Sequence, residues 1–382
     1  MHPKPNSRIP KSDSGGLSTR KKDLISPSLG SSHSKTNSLA SFYQSVLSQP
    51  IIDLDKLREK AWAGIPDEFR PRVWRLFLDY EPVNSAYRVS TLDHKRKDYF
   101  DCLERVFGES QRPLWTSAQH QTEDQILRDL PRARRPILRT LQVRDIFVRI
   151  LFVWAVRHPA SGYVQGMNDI LQPFFFTFLL PYARSAGIAK DFTSLENLSE
   201  FPDSSSANTI SEESWKEVEA DCFWCFSKFL DSLQDLYTKD QPGLYKMLST
   251  LQQIISCVDP PLATWIAHEE IPYDEFAFRW VNCLLVREFS TSMLCRIWDT
   301  YLPNHSRTAS LHSYICAALL TKLSPSLVNV PHAEFVIAIQ SVDTKQWTPE
   351  ELEMLLAQAY VYEKMFAPSS QPFRSSSVPS FH

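Results

Sequence analysis

Glycine is scarce. The chain of 382 residues contains 9 of them, about a third of the usual share of roughly 7%. Gly15, Gly16 and Gly30 lie in a serine-rich N-terminal stretch, leaving Gly64, Gly108, Gly162, Gly166, Gly187 and Gly243 for the rest. Nucleotide-cradling loops of the GxGxxG or GxxxxGK[ST] type crowd several glycines into one short window, and these six form no such window. The expectation is a chain that does not hold ATP, GTP or NAD in a glycine-rich loop of its own. All-β folds rich in tight turns also consume more glycine than this, which points to a helical protein.

Other shortages narrow the class further. No apolar run is long enough to span a bilayer: the longest, Leu171–Tyr182, is interrupted by Pro173 and Pro181 and is about half the required length, so it reads as a core segment. The N-terminus lacks the 7–15-residue apolar core of a signal peptide. Seven cysteines (102, 222, 225, 257, 283, 295, 316) are odd in number and scattered through apolar segments, which reads as reduced core thiol in the cytosol. The lone CxxC at Cys222–Cys225 has no second pair, which argues against zinc. There is no GxSxG, and His268-Glu269-Glu270 has no second histidine at zincin spacing. Hydrolysis by a triad or a metal therefore has no motif behind it, although spacing alone leaves open a triad assembled in space.

Charge is slight but uneven. The net value is −3, yet residues 1–45 carry seven Lys/Arg against Asp13 and Asp23, a balance of +5 that leaves −8 for the remainder. A mildly acidic body speaks against nucleic acid as a partner. Residues 1–45 hold 12 serines, no Glu and only Phe42 and Tyr43 as aromatics, the composition of a disordered tail. Their Arg20-Lys21-Lys22 cluster reads as solvated, with weak contact to acidic lipid as the alternative. The Ser/Pro-rich residues 367–382 read as a second disordered tail.

Between the tails the helical period dominates. Val143, Ile146, Phe147, Ile150, Leu151 and Trp154 recur at i, i+3, i+4, i+7, i+8 and i+11, the stripe of an amphipathic helix facing a core. Residues 218–236, 275–287 and 311–323 behave similarly, and Trp62, Trp74, Trp154, Trp224, Trp265, Trp280 and Trp298 fall within apolar helical pattern, which reads as core. No alternating strand and no repeat is evident. The Ser/Asp/Glu/Asn-rich stretch at about 190–215 reads as a flexible insertion. It divides an N-terminal lobe of about 50–190 from a C-terminal lobe of about 216–366.

Two segments at the edges of helical pattern carry concentrated polar chemistry: Gln125–Pro136 (QILRDLPRARRP) and Ser161–Asp169 (SGYVQGMND). Asp129 precedes Arg132 by three residues, a spacing at which a carboxylate can hold a guanidinium bidentately. Gln165 lies between Gly162 and Gly166, so its backbone is free to take unusual dihedrals. On spacing alone the plainer readings lead: a solvated helix end and an ordinary turn.

These segments nevertheless resemble the two signature motifs of TBC domains, the Rab GTPase-activating proteins, as Ile126-x-x-Asp129-x-x-Arg132 and Tyr163-x-Gln165. Further matches follow in family order: Gly64-Ile65-Pro66 with Arg70-x-x-x-Trp74, then Glu219-Ala220-Asp221-x-Phe223-Trp224-Cys225, Gln241-Pro242-Gly243, Phe278-Arg279-Trp280, Arg287-Glu288-Phe289 and Arg296-Ile297-Trp298-Asp299-Thr300. The resemblance covers roughly 55–365 and is nearest to the Golgi-acting branch. It implies an all-α, two-lobed domain over 46–366 that takes a GTP-loaded Rab. Arg132 and Gln165 would be the catalytic residues, supplied in trans, with Asp129, Tyr163, Gly166, Ile126, Arg70 and Trp74 supporting them. It also implies no cofactor beyond the partner's GTP and Mg, no reaction of the chain's own, and a cytoplasmic location peripheral to Golgi membranes, in vesicle traffic. Ala133, where family members often carry a small polar residue, is a local departure. Arg279, Arg287 and Asp299 read as ion pairs internal to the C-terminal lobe. The rival reading is a catalytically silent Rab-binding adaptor, which would lack the Arg or the Gln.

Overall fold

The computed structural model of the protein describes residues 31–202, 209–238 and 240–366. Among these the chain is helical, and its one β pairing is an isolated bridge between Ile51 and Asn84. The helices are α1 (Ser31–Leu47), α2 (Leu54–Ala61), α3 (Arg70–Phe77), α4 (Arg88–Phe107), α5 (Ser117–Asp129), α6 (Leu141–Arg157), α7 (Met167–Ser185), α8 (Phe192–Glu196) and α9 (Glu212–Asp231). They continue as α10 (Gln234–Tyr237), α11 (Pro242–Val258), α12 (Pro260–His268), α13 (Tyr273–Asn282), α14 (Thr291–Tyr301), α15 (Thr308–Leu323), α16 (His332–Gln340) and α17 (Pro349–Phe366). No described helix is long and apolar enough to cross a membrane.

The apolar run at Leu171–Tyr182 lies in α7, which keeps Pro173 and Pro181 inside it and is buried along most of its length. Its apolar run faces neighbours on all sides, and α3, α6, α9 and α14 pack against the helix. The N-terminal lobe is also fixed by charge. Asp221 of α9 accepts from Arg75 at 2.8 Å, Arg96 at 2.9 Å and the Tyr80 hydroxyl at 2.8 Å. Two residues earlier, Glu219 takes Arg149 at 2.6 Å and the Tyr99 hydroxyl at 2.7 Å. Each carboxylate is buried, and several donors offset its lost hydration. Helix α9 thus belongs with α4, α6 and α7, and the lobe boundary falls after it rather than before it.

In the C-terminal lobe α15 packs against α11, α13 and α17. The lobes meet on α14, where Trp298 contacts Trp74 of α3, Phe174 of α7 and Phe229 of α9 at centroid distances of 6.3, 5.3 and 4.9 Å.

Two further sequence expectations are corrected. Residues 31–45, assigned to a disordered tail, are helical: Leu39, Phe42, Tyr43, Val46 and Leu47 repeat at helical spacing and pack on the body, and Tyr43 is fully buried, stacked 6.0 Å from Phe69. The serine-rich composition masked that stripe. The stretch around 190–215 is fixed in part, because α8 is capped by Asp191 and Ser194 and buries Phe192 and Leu195. The expectations for residues 1–30, including Arg20–Lys22, and for 367–382 lie outside the described residues.

Candidate functional site

Helix α5 buries Ile126 and ends at Asp129. Pro131 has no N–H to donate, so α-helical bonding stops and Leu130–Arg132 tighten into a 3₁₀ turn. Leu130 and Ala133 on either side of Pro131-Arg132 are buried, which leaves the Arg132 side chain pointing outward, 62% exposed. Ala133 thus serves as an apolar anchor beside the exposed arginine. Arg135 turns the other way. The proline after it favours an extended backbone, observed at φ −83°, ψ 125°. Its guanidinium enters the interior, meeting Gln172 Oε1 at 2.7 Å, Glu196 Oε2 at 3.1 Å and the Phe289 carbonyl at 3.1 Å.

Gln165 stands on the α6–α7 loop. Pro159 follows the end of α6, and the Gly162 N–H closes a turn on the His158 carbonyl at 2.8 Å. Gly166 caps α7 with φ +105°, and a Cβ there would lie 2.4 Å from Asn282 Nδ2. Only glycine satisfies both demands. The same Asn282 Nδ2 donates to the Gln165 carbonyl at 2.9 Å. Tyr163 and Gly166 are buried while Gln165 between them is exposed.

One carboxylate joins the two segments. The Tyr163 hydroxyl donates to Asp129 Oδ2 at 3.1 Å, and Asp129 Oδ1 lies 3.7 Å from Arg132 Nη1. Burial, then the Asp129 carboxylate, push the Tyr163 hydroxyl far above its ordinary pKa, so it stays a donor. The expected bidentate Asp129–Arg132 pair is thus not formed. A 3₁₀ turn separates them, Asp129 is spent on Tyr163, and the guanidinium is left extended.

Beneath the loop, Asp169 of α7 takes Arg287 Nη2 at 2.8 Å, Gln172 Nε2 at 2.9 Å and the Cys283 thiol at 3.3 Å. Arg287 therefore ties the lobes together and does not sit within the C-terminal one. Arg279, paired with Glu288 at 2.7 Å, does stay within it. Asp299 also crosses: it accepts from Arg70 Nε at 3.1 Å, Trp74 Nε1 at 2.9 Å and the Ile65 N–H at 2.9 Å. Arg70 and Trp74 are thereby placed at the interlobe tie and not beside Arg132 or Gln165. A cleft of about 880 Å³ between the lobes is lined by Arg134, Arg135, Asp169, Arg287 and Arg70 among others, but by neither Arg132 nor Gln165. The two exposed side chains face outward, a geometry suited to reaching into another molecule.

Asn282, Arg135 and Glu196 were not singled out from the sequence. Asn282 lies in the segment between the Phe278-Arg279-Trp280 and Arg287-Glu288-Phe289 matches. Leu284 and Leu285 in that segment take φ +45° and +59°, which for leucine costs of order 1–3 kcal/mol each and marks a constrained turn.

Residues 67–328 match the RabGAP-TBC family, the Rab-GTPase-TBC domain. The chain is 37% identical over 336 residues to TBC1 domain family member 22B of Homo sapiens, covering 87% of this chain and 63% of that protein. It is 36% identical over 334 residues to the GTPase-activating protein gyp1 of Schizosaccharomyces pombe, covering 85% and 61%. The chain thus spans about three fifths of the length of these relatives. The crystal structure of the Ypt/Rab-GAP domain of Gyp1p superposes with a TM-score of 0.78 at 36% identity, covering 87% of this chain and 99% of that one. With the motifs in order, the helical architecture shared and the family match spanning well over half its length, the chain belongs to the Rab-GTPase-TBC domain family.

Proposed function

We propose that this chain is a GTPase-activating protein for Rab-family small GTPases in their GTP-bound state. Arg132 enters the partner's nucleotide site and stabilises charge developing on the transferred phosphoryl group, while Gln165 orients the attacking water. GTP and its Mg belong to the partner. The observation that carries this reading is an exposed Arg and an exposed Gln on two firmly seated backbone segments, joined through Asp129 and Tyr163 and lying outside the cleft lined by Arg135, Asp169 and Arg287. Phosphoryl transfer needs positioning and electrostatic stabilisation more than covalent chemistry, and an arginine supplied in trans is worth about 10³–10⁵ in rate. Lysine lacks the planar fork that such a site uses. The relatives named as GTPase-activating proteins support the same reading, as does the presence of both Arg132 and Gln165, one or other of which a silent Rab-binding adaptor would lack. Vesicle traffic at the cytoplasmic side of Golgi membranes, with a weak lipid contact through Arg20–Lys22, belongs to this proposal.

A single-turnover phosphate-release assay over a panel of purified GTP-loaded Rabs tests it. At least one Rab is accelerated, and Arg132→Ala lowers that acceleration by about 10³ or more without moving the melting temperature, since the side chain is largely exposed. Near-normal acceleration by Arg132→Ala overturns the mechanism. Tight Rab binding with no acceleration by the unsubstituted chain returns the adaptor reading.

A further inference from the structure

We infer that Asn282 is a positioning residue for Gln165, a role that rests on the GTPase-activating reading above and adds a third participant from the opposite lobe. The Gln165 side chain is exposed, so its aim is set by where its backbone is held. The hold comes from 117 positions away: Asn282, the last residue of α13 and 4% exposed, donates from Nδ2 to the Gln165 carbonyl at 2.9 Å. The same nitrogen rests against Gly166, where it fills the space a Cβ would need.

The surroundings fix which way the Asn282 amide points. Gln241 Nε2 lies 3.4 Å from Asn282 Oδ1 and is itself anchored on the Leu236 carbonyl at 2.8 Å. A donor therefore faces Oδ1, which leaves Nδ2 to face the Gln165 acceptor. The Tyr237 hydroxyl donates to the Asn282 backbone carbonyl at 3.0 Å. Gln241 sits at φ +44° and Leu284 and Leu285 at φ +45° and +59°. Non-glycine residues keep such dihedrals only where packing over-determines them. Asn282 is thus gripped on three sides and passes that rigidity to the Gln165 loop through one hydrogen bond. A loop held this way delivers its glutamine already oriented, and a misplacement of about 1 Å at a reacting centre costs on the order of a hundredfold.

The test uses the full chain and the GTP-loaded Rab it accelerates most. Asn282→Asp keeps the shape but turns the donor into a carboxylate oxygen facing the Gln165 carbonyl. It should lower kcat by about ten- to hundredfold while KM changes less than about twofold, because the substitution lies off the exposed surface. In a Gln165→Ala background the same change should move kcat by less than about twofold, since nothing remains to be positioned. If Asn282→Asp fails to fold, Asn282→Ser, which drops the bond without adding charge, takes its place in the same cycle. Undiminished kcat, or an equal loss with and without Gln165, overturns the role. If Gln165→Ala is slow while the Asn282 variants are fast, this role alone falls; if Gln165→Ala is itself fast, the two-residue mechanism falls and takes the role with it.

Discussion

The Arg132 turn and the Gln165 loop meet at one carboxylate, yet they are built on different principles. The Arg132 turn is local: a proline ends α5, Leu130 and Ala133 bury themselves, and Arg132 is left outside. The turn itself is shaped by these neighbours, while Tyr163 and the flanking Arg134 and Arg135 add contacts to distant residues. The Gln165 loop depends on the far lobe, through Asn282 above it and the Asp169–Arg287 pair below it. Removing Arg132 should therefore change chemistry and nothing else. The Gln165 loop links chemistry to interlobe packing, so substitutions there move rate and stability together.

The widest separation between the two segments is expected at Gly166. Gly166→Ala puts a methyl group 2.4 Å from Asn282 Nδ2 on a backbone held at φ +105°. Either the loop shifts or Asn282 retreats, and both displace Gln165. Stimulated GTP hydrolysis should fall by about a hundredfold, and the strained dihedral should cost a further 1–3 kcal/mol or so of stability. Single-turnover rates beside urea denaturation read both effects. A full rate with a lowered melting temperature would show that the loop tolerates displacement and that the contrast with Arg132 is overstated.

Arg287→Ala tests the underside of the loop. Asp169 is 2% exposed and would keep Gln172 and Cys283 as donors but lose its cation. Leaving a buried carboxylate short of its partner should cost about 2–3 kcal/mol, read as a lowered urea midpoint. Turnover should drop by about tenfold through Gln165 alone. In this background Arg132→Ala should still exact its whole factor, whereas Gln165→Ala should exact less. Equal attenuation of both would mean that the two segments share one support.

Much of this site was legible in the chain because its decisive residues are close in sequence. Asp129 and Arg132 share a helix end, and Tyr163, Gln165 and Gly166 share a loop, so short motifs capture them. The helical body was legible for the same reason, its apolar stripes being local. What escaped was long-range. Nothing around Asn282 distinguishes a buried asparagine that grips a loop 117 positions away from one that merely ends a helix. Arg70 and Trp74 share one face of α3, but their common partner, Asp299, arrives more than 220 residues later, so no short motif shows the tie they make. Arg135 sits in a run of arginines and looks solvated until Pro136 is allowed to turn it inward. Helix α8 spans too few residues to show a period, so Glu196 was hidden in a stretch that reads as loop.

The smallest expected effect falls on the bond that joins the segments. Tyr163→Phe removes a hydroxyl 3.1 Å from Asp129 Oδ2 and leaves the ring in place. The loop should keep its seat, because Asn282 and Gly166 hold it independently. Asp129 is 6% exposed and would be left with Arg132 Nη1, now 3.7 Å away, as its nearest cation. A buried carboxylate short of a donor attracts the closest positive charge, so Arg132 should be drawn down toward it and away from a partner's nucleotide. The expected loss in kcat is about threefold, the rate equivalent of roughly 0.7 kcal/mol. The direction of that cause can be checked. Adding Asp129→Asn to Tyr163→Phe removes the charge that captures Arg132 and should recover part of the rate. If the double variant is slower than Tyr163→Phe alone, Asp129 serves Arg132 directly, and Tyr163 does not hold the carboxylate away from it.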